Sequence, residues 1–214
     1  LLPPGREILE IIALSLAVSG AAPMLAALAA IPAALFLALK EFRLKRLIVG
    51  VVNTAMAVPA VLIGLVVYGL VNRRGPLGSL GLLFTPGAMV LAQALLAFPL
   101  MTALALAALQ GVAREARDLA LSLGADRRQL AVAVIRQGRF AFLTAIIAGF
   151  SRVIGETGMT LMVGGNIKGQ TRVLTTAISL ETMKGNFEVG IALGIVLLLA
   201  ALLINVALQA AQGK

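Results

Sequence analysis

The sequence contains no cysteine and no histidine among its 214 residues. Without cysteine there are no disulfides, no thiolate metal site and no cysteine nucleophile. Without histidine, the commonest general base and the commonest metal ligand are both missing. Glu156 is the only carboxylate in a stretch apolar enough to lie within a membrane. These absences argue against a hydrolytic or redox enzyme built inside the membrane.

Charged residues make up only 13% of the chain, and hydrophobic residues make up 60%. A soluble domain has about 25% charged and about 45–50% apolar residues. Four long segments carry no charged side chain: 11–39, 47–72, 75–113 and 189–213. A helix that crosses a bilayer needs roughly 20 predominantly apolar residues. The sequence therefore predicts an all-α polytopic membrane protein.

We predict about five transmembrane helices in a single domain that covers residues 1–214. The predicted spans are 8–39, 47–71, 88–109, 140–163 and 189–211. Pro23 and Pro32 could divide the first segment, but each half would hold only about 15 residues, so one long, tilted helix is expected. The polar stretch 110–139, with six arginines, is predicted to be a cytoplasmic loop.

The net charge is +9, from 18 basic and 9 acidic residues. In so apolar a chain this excess indicates topology and contact with membrane lipids rather than with nucleic acid. If the loop 40–46, the stretch 110–139 and the C-terminus share one side, that side holds eleven basic residues against six on the other. Because cytoplasmic loops are enriched in Lys and Arg, the N-terminus is expected outside and the C-terminus inside.

The cytoplasmic stretch has the pattern of a helix, a glycine turn and a second helix. Gly124 can end the first helix, and Asp126 can cap the second. By itself the stretch also fits an amphipathic loop that lies on the membrane and extends its arginines to the surface. The residues that define the pattern are Asp118, Leu119, Ala120, Leu123, Gly124, Ala125 and Val134.

This pattern resembles the coupling loop of ABC-importer permeases. Asp118, Leu119 and Ala120 stand at its Glu-Ala-Ala positions, Gly124 at its glycine and Val134 at its isoleucine. The sequence departs from the motif at Asp118 and Leu119, and Arg136-Gln137 replaces the usual Leu-Pro. The resemblance implies that residues 118–120 and 123–125 couple this chain to an ATPase.

A second pattern extends the resemblance to roughly residues 40–210. Gly155-Glu156-Thr157-Gly158, followed by Asn166-Ile167-Lys168-Gly169 and Thr171, is similar to the permeases of molybdate, tungstate and sulfate importers. Within that group, Gly164-Gly165 before Asn166 and the segment Thr175-Thr176-Ala177-Ile178 resemble the tungstate type.

The resemblance implies a fold like that of type I ABC importer permeases, with a cytoplasmic coupling helix. It also implies a homodimer, two ATP-binding cassette subunits inside and an external oxyanion-binding protein. The sequence has no Gly-x-x-x-x-Gly-Lys-Ser/Thr phosphate-binding loop. We therefore expect a transport subunit rather than an enzyme, with no cofactor of its own and with ATP-Mg used by the partner ATPase.

Arg152 and Glu156 are the two charges of the predicted fourth span. A charge within the membrane costs roughly 2.5–3.5 kcal/mol on insertion scales, so its presence needs a reason. The two residues are four apart and can form an ion pair on one helical face. Two readings stay open: the pair serves only to neutralise both charges, or Arg152 also faces a translocation pathway and is tuned by Glu156.

Several small and polar residues are further candidates. Gly155 and Gly158 either let helices pack closely or leave room for a substrate, and Asn53 and Thr54 either bond neighbouring helices or contact a passing oxyanion. An external loop offers N–H donors and positive charge where an anion or a binding protein would arrive, although a plain solvated loop would look similar. Its candidate residues are Asn166, Lys168, Gly169 and Thr171.

The favoured function is inward transport of an oxyanion, tungstate first, by ATP-driven alternating access. A molybdate or sulfate permease of the same group is the nearest alternative, because these anions share shape and charge. A passive anion channel is a third alternative. The alternative from a different functional class is a membrane scaffold that transports nothing. It requires the match around Gly124 to be accidental.

Overall fold

A computed structural model describes the backbone of residues 5–123 and 126–211, with their side chains except at 112–123, 127 and 211. The described part is helical and contains no strand, as predicted. Its α-helices are α1 (Gly5–Leu39), α2 (Lys45–Ala55), α3 (Ala60–Val71), α4 (Pro86–Leu123), α5 (Arg127–Ile154), α6 (Gly158–Gly164), α7 (Leu174–Met183) and α8 (Phe187–Ala211).

Four of the described helices, α1, α4, α5 and α8, are long and apolar enough to cross a membrane. The bent pair α2 and α3 makes a fifth crossing if its two halves form one span. The first span is one continuous helix with Pro23 and Pro32 inside it. A proline removes one helical hydrogen bond, but an apolar setting offers the backbone no better partner than the helix itself.

The centre of the fold is the pairing of α1 with α4, the most extensive helix contact in the described part of the chain. Ala22, Ala26, Ala30 and Ala34 repeat every four residues along α1, and all are buried. Residues four apart share one helical face, and small side chains there let two backbones approach closely. Helices α3, α5 and α6 pack around this pair.

The span predicted over 47–71 is not one continuous helix. The chain bends by 100° between the end of α2 at Ala55 and the start of α3 at Ala60. Pro59 has no N–H to donate and disfavours a helical conformation at Val58, so the helix stops before it and starts again after it.

The predicted fourth span, 140–163, is also wrong in its boundaries. Helix α5 starts at Arg127 and ends at Ile154, and the short helix α6 resumes at Gly158. Glu156 therefore lies in a break between two helices, which we call the α5–α6 break (Gly155–Thr157), and not within a continuous helix.

The two helices predicted within the polar stretch 110–139 are present: α4 continues to Leu123 and α5 begins at Arg127, so most of the stretch is helical. The predicted cap at Asp126 is confirmed: its carboxylate accepts from the Gln129 N–H at 2.7 Å, and the Gln129 side chain accepts from the Asp126 N–H at 2.9 Å. Gly124 and Ala125 lie outside the described residues, so the glycine turn stays a prediction.

The turn between α7 and α8 contains a compact polar cluster. Lys184 and Asn186 each donate a 2.8 Å hydrogen bond to the Glu181 carboxylate. The bond from Lys184, followed by that from Asn186, holds the pKa of Glu181 below its usual value. Gly185 follows with a φ of +81°, a left-handed conformation in which glycine has no steric cost.

Helix α7 is capped by a residue from α1. The buried Ser15 hydroxyl accepts from the Leu174 N–H at 2.7 Å and donates to the Ile11 carbonyl at 2.6 Å. The first N–H groups of a helix have no partner within the helix, so this contact satisfies one of them and fixes α7 against α1.

We predict that Ser15→Ala lowers the free energy of unfolding by about 1–3 kcal/mol, because it leaves the Leu174 N–H buried without an acceptor. Thermal unfolding of the purified protein in detergent measures this. Ser19→Ala is the matched control, since Ser19 is equally buried on α1 and none of the described hydrogen bonds joins it to α7. Equal losses in the two variants would contradict the capping role.

Candidate functional site

The ion pair predicted between Arg152 and Glu156 is present. The Arg152 Nη1 atom lies 3.5 Å from Glu156 Oε2, and their side chains are 39% and 15% exposed. Arg152 is in the last turn of α5, where a positive charge is stabilised by the helix dipole. The pairing survives although α5 ends before Glu156, because the Glu156 N–H still donates to the Val153 carbonyl at 3.0 Å.

Two threonine hydroxyls hold the α5–α6 break. The Glu156 carbonyl accepts from Thr160 Oγ1 at 3.0 Å and from Thr175 Oγ1 at 3.1 Å. Thr160 is on α6 and Thr175 is on α7, and both are buried. Sequence reasoning gave neither residue this role, although Thr175 belongs to the segment that resembles the tungstate type. The spacing of Thr160 from Glu156 was a usable signal, but no local pattern brings Thr175 to the break.

A buried amide extends this cluster. Gln93 of α4 is 2% exposed, and its Nε2 atom lies 3.5 Å from Thr160 Oγ1. The Gln93 Oε1 atom has no hydrogen-bond partner among the described residues. Gln93, Thr160 and Thr175 thus form a connected group of buried polar side chains from α4, α6 and α7.

The glycines near the break act mainly in close packing. A Cβ atom at Gly64 of α3 would lie 3.1 Å from Met159 Cα, and one at Gly158 of α6 would lie 3.2 Å from Val61 Cγ2. Helices α3 and α6 therefore touch through glycines on both sides. Gly155 differs, since a Cβ atom there would meet nothing within 4 Å, and it borders open space next to the ion pair.

Asn53 and Thr54 lie near the end of α2, close in sequence to its bend, and both are exposed. The Thr54 hydroxyl donates to the Gly50 carbonyl of its own helix at 2.9 Å. Within the described part of the chain, no hydrogen bond joins either residue to Arg152 or Glu156. Both side chains are therefore exposed, and neither is hydrogen-bonded to the Arg152–Glu156 ion pair.

The predicted external loop folds around Thr171. Its hydroxyl donates to the Gly164 carbonyl and accepts from the Ile167 N–H at 2.9 Å, and the side chain is fully buried. The expectation that Thr171 contacts a docking partner is therefore corrected, because Thr171 shapes the loop from inside. Lys168 and Gly169 are exposed, and Asn166 is partly exposed.

Glu7 of α1, which sequence reasoning did not single out, holds this loop through two ion pairs. Glu7 accepts from Lys168 Nζ at 2.7 Å and lies 3.5 Å from Arg172 Nη1. Next to these ion pairs is a cavity of about 430 Å³, lined by residues that include Arg6, Glu10 and Gln170. The loop is thus preorganised against the N-terminal end of α1.

The proposed coupling residues lie at the far end of α4. Asp118, Leu119, Ala120 and Leu123 belong to its helical backbone, and their side chains are not among those described. Gly124 and Ala125 lie outside the described residues. The described residues also contain no group of three acidic or other metal-ligating side chains that could hold a metal ion.

Comparison with known families decides the identity. The family described as "Binding-protein-dependent transport system inner membrane component" matches residues 30–213. This chain belongs to that family. It is a multi-pass membrane permease, and the helix breaks, the ion pair and the external loop all lie within the matched region.

Three similar permeases each match more than three quarters of this chain. A probable anion ABC transporter permease protein of Haloferax volcanii is 42% identical over 92% of this chain and 88% of that one. The tungstate uptake system permease protein TupB of Peptoclostridium acidaminophilum is 41% identical, covering 96% of this chain and 90% of its own. TupB of Campylobacter jejuni is 42% identical, over 77% of this chain and 69% of that protein. Permeases named for molybdenum and sulfate transport match at lower identity.

We predict that Gly64→Ala destabilises the permease by about 1–3 kcal/mol, because the new methyl group meets the backbone of Met159 and forces α3 away from α6. Thermal unfolding in detergent measures the loss. Gly69→Ala on the same helix is the control: its Cβ atom meets nothing within 4 Å, so alanine should leave stability unchanged or raise it slightly. If both variants behave alike, α3 and α6 do not depend on this contact.

Proposed function

We propose that this permease carries tungstate into the cell by ATP-driven alternating access. The observation that carries the proposal is the similarity to two tungstate uptake permeases, at 41% and 42% identity over most of the chain. The lower identity of the molybdenum and sulfate permeases places those anions second. Tungstate is a doubly charged tetrahedral anion, and an arginine with neutral N–H and O–H donors suits transient contact with it.

The proposed assembly contains more than this chain. It has two copies of the permease, two ATP-binding cassette subunits that use ATP-Mg, and an external oxyanion-binding protein. We place it in the cytoplasmic (inner) membrane of a prokaryote, with the N-terminus outside and the C-terminus inside. The proposed inner side holds eleven basic residues and the proposed outer side holds six, and this excess supports the orientation.

The exposed faces of the chain differ in a way that favours a second copy. Helix α8 exposes only apolar side chains over most of its length, including Ile195, Leu198 and Leu202, and so suits contact with lipid. Arg152, Asn53 and Thr54 are also exposed. A charged or polar group in hydrocarbon is costly, so each of these three positions is better placed against a partner copy or a water-filled path.

In this account Arg152 attracts the anion, and Glu156 limits how strongly it is held. A bare arginine in a low-dielectric path would bind a dianion too tightly for release, whereas a paired one offers a weaker field. Gly155 and Gly158 keep the adjoining space free of side chains. Asn53 and Thr54 lie near the end of α2, where the Asn53 amide can donate to the anion and the Thr54 hydroxyl can do so only by leaving the Gly50 carbonyl.

Coupling is proposed at residues 118–120 and 123–125, where the chain resembles the segment that contacts the ATPase. The long cytoplasmic ends of α4 and α5 would carry the motion of the ATPase pair toward the α5–α6 break. The loop with Asn166, Lys168 and Gly169 is the proposed contact of the binding protein, which would release tungstate into the path between the two copies.

The uptake experiment tests the function directly. The permease, its ATPase subunit and its binding protein are reconstituted in vesicles, and uptake of tungstate, molybdate and sulfate is measured with and without ATP. We expect tungstate uptake that requires both ATP and the binding protein. Uptake without ATP would indicate a channel, preference for another of these anions would indicate a related permease, and no uptake at all would favour the scaffold alternative.

We also predict that Gly124→Asp abolishes ATP-driven uptake while the protein still inserts and assembles. We expect a charged side chain at this glycine to disturb the fit of the coupling segment to the ATPase. Gly111→Asp is the matched control, because it adds the same charge on α4 where a Cβ atom meets nothing within 4 Å. Undiminished uptake by Gly124→Asp, or equal loss in both variants, would contradict the coupling role.

A further inference from the structure

The α5–α6 break leaves a backbone group that needs a partner. The last carbonyl groups of a helix receive no hydrogen bond from an N–H group of that helix. A membrane interior offers no water that could donate to them instead. At this break the Glu156 carbonyl receives two hydroxyl donors, Thr160 Oγ1 at 3.0 Å and Thr175 Oγ1 at 3.1 Å. The backbone of Glu156 is therefore held from α6 and from α7 at once.

The rest of Glu156 is held by local contacts. Its N–H donates to the Val153 carbonyl at 3.0 Å, and its carboxylate lies 3.5 Å from Arg152 Nη1 and from the Met159 backbone nitrogen. Both side-chain distances are long for hydrogen bonds, so they restrain the carboxylate weakly. The two hydroxyl contacts to the carbonyl, at 3.0 and 3.1 Å, are closer and come from two different helices, so they are the stronger restraint on the position of this residue.

We propose that Thr160 and Thr175 are positioning residues for transport: their hydroxyls fix the Glu156 carbonyl and thereby place the Arg152–Glu156 pair beside the open space at Gly155. The proposal rests on the proposed function, in which this pair meets the anion. Neither threonine touches the path itself, because Thr160 is 1% and Thr175 is 6% exposed.

Helix α7 also gives the break a link to the external loop. Thr175 is in the first turn of α7, whose Leu174 N–H is capped by Ser15 of α1. Arg172, two residues before Leu174, pairs with Glu7 of α1. The hydroxyl that holds Glu156 is thus fixed in place by α1 and by the loop proposed to meet the binding protein.

The test compares Thr160→Val and Thr175→Val, which remove each hydroxyl at nearly constant volume, with Thr160→Ser and Thr175→Ser, which keep it. Thr102→Val is the control, since Thr102 is fully buried and its hydroxyl donates only within its own helix, to the Phe98 carbonyl. Each variant is purified as the complete complex with ATPase subunit and binding protein. Uptake, ATPase stimulation and amide hydrogen exchange of residues 153–160 are measured.

We expect the two valine variants to exchange the amides of Glu156 and Met159 faster and to lower maximal uptake about tenfold, the effect of one lost buried hydrogen bond. Stimulation of the ATPase should be kept, and the serine variants and Thr102→Val should resemble the unmodified complex. Faster exchange with unchanged uptake would overturn the role in transport. Unchanged exchange would overturn the restraint itself.

The two measurements also separate this inference from the function on which it rests. If the unmodified complex takes up none of the three anions, the proposed function fails, while hydrogen exchange still decides whether the hydroxyls hold the break. If a valine variant fails to assemble, its serine counterpart decides the outcome: assembly and full uptake with serine support the hydroxyl's role, and loss with serine overturns it.

Discussion

The α5–α6 break depends on a hydrogen bond that the membrane cannot supply. An apolar layer penalises every unpaired backbone group, so a helix can stop inside it only where the protein provides partners. Here α6 and α7 provide them through the hydroxyls on the Glu156 carbonyl. This explains how the long helix α5 can end at Ile154 and the short helix α6 can follow it.

The α5–α6 break determines where the Arg152–Glu156 ion pair lies. Helix α6 has seven residues and spans about 10 Å, so Glu156 and the loop around Thr171 lie at opposite ends of a short helix. Helix α3 packs on α6 through Gly64 and Gly158, which joins the bend after α2 to the break after α5. Two interrupted helices therefore meet beside one ion pair. Interrupted helices are a usual setting for ion and substrate sites in transporters.

Composition and pattern predicted much of this molecule. Missing charges over long segments were enough for the helical class, because the bilayer requires a minimum apolar length. They predicted about five crossings, and the described helices give four, or five if α2 and α3 form one span. The ion pair of Arg152 with Glu156 followed from a spacing of four residues. Asp126 was recognised as a cap because capping depends on residues only three positions apart.

The remaining features depend on contacts between distant segments. The position of Glu7 near Lys168, and of Ser15 near Leu174, follows only when α1 is packed against the rest of the chain. The bend at Pro59 was missed because a proline is compatible both with a kinked helix and with a broken one. Thr171 was assigned to the surface because a loop threonine is usually exposed, whereas this one forms the centre of its loop.

The central claim is that the face containing Arg152 and Gly155 lies against a second copy across the path, while α8 faces lipid. Because the chain has no cysteine, single cysteines can be placed without background. A short bismaleimide is applied to membranes that contain the assembled complex with Gly155→Cys or with Leu202→Cys, and dimers are resolved by electrophoresis. The account predicts a cross-linked dimer for Gly155→Cys and none for Leu202→Cys. Cross-linking at Leu202→Cys alone, or at neither position, would contradict it.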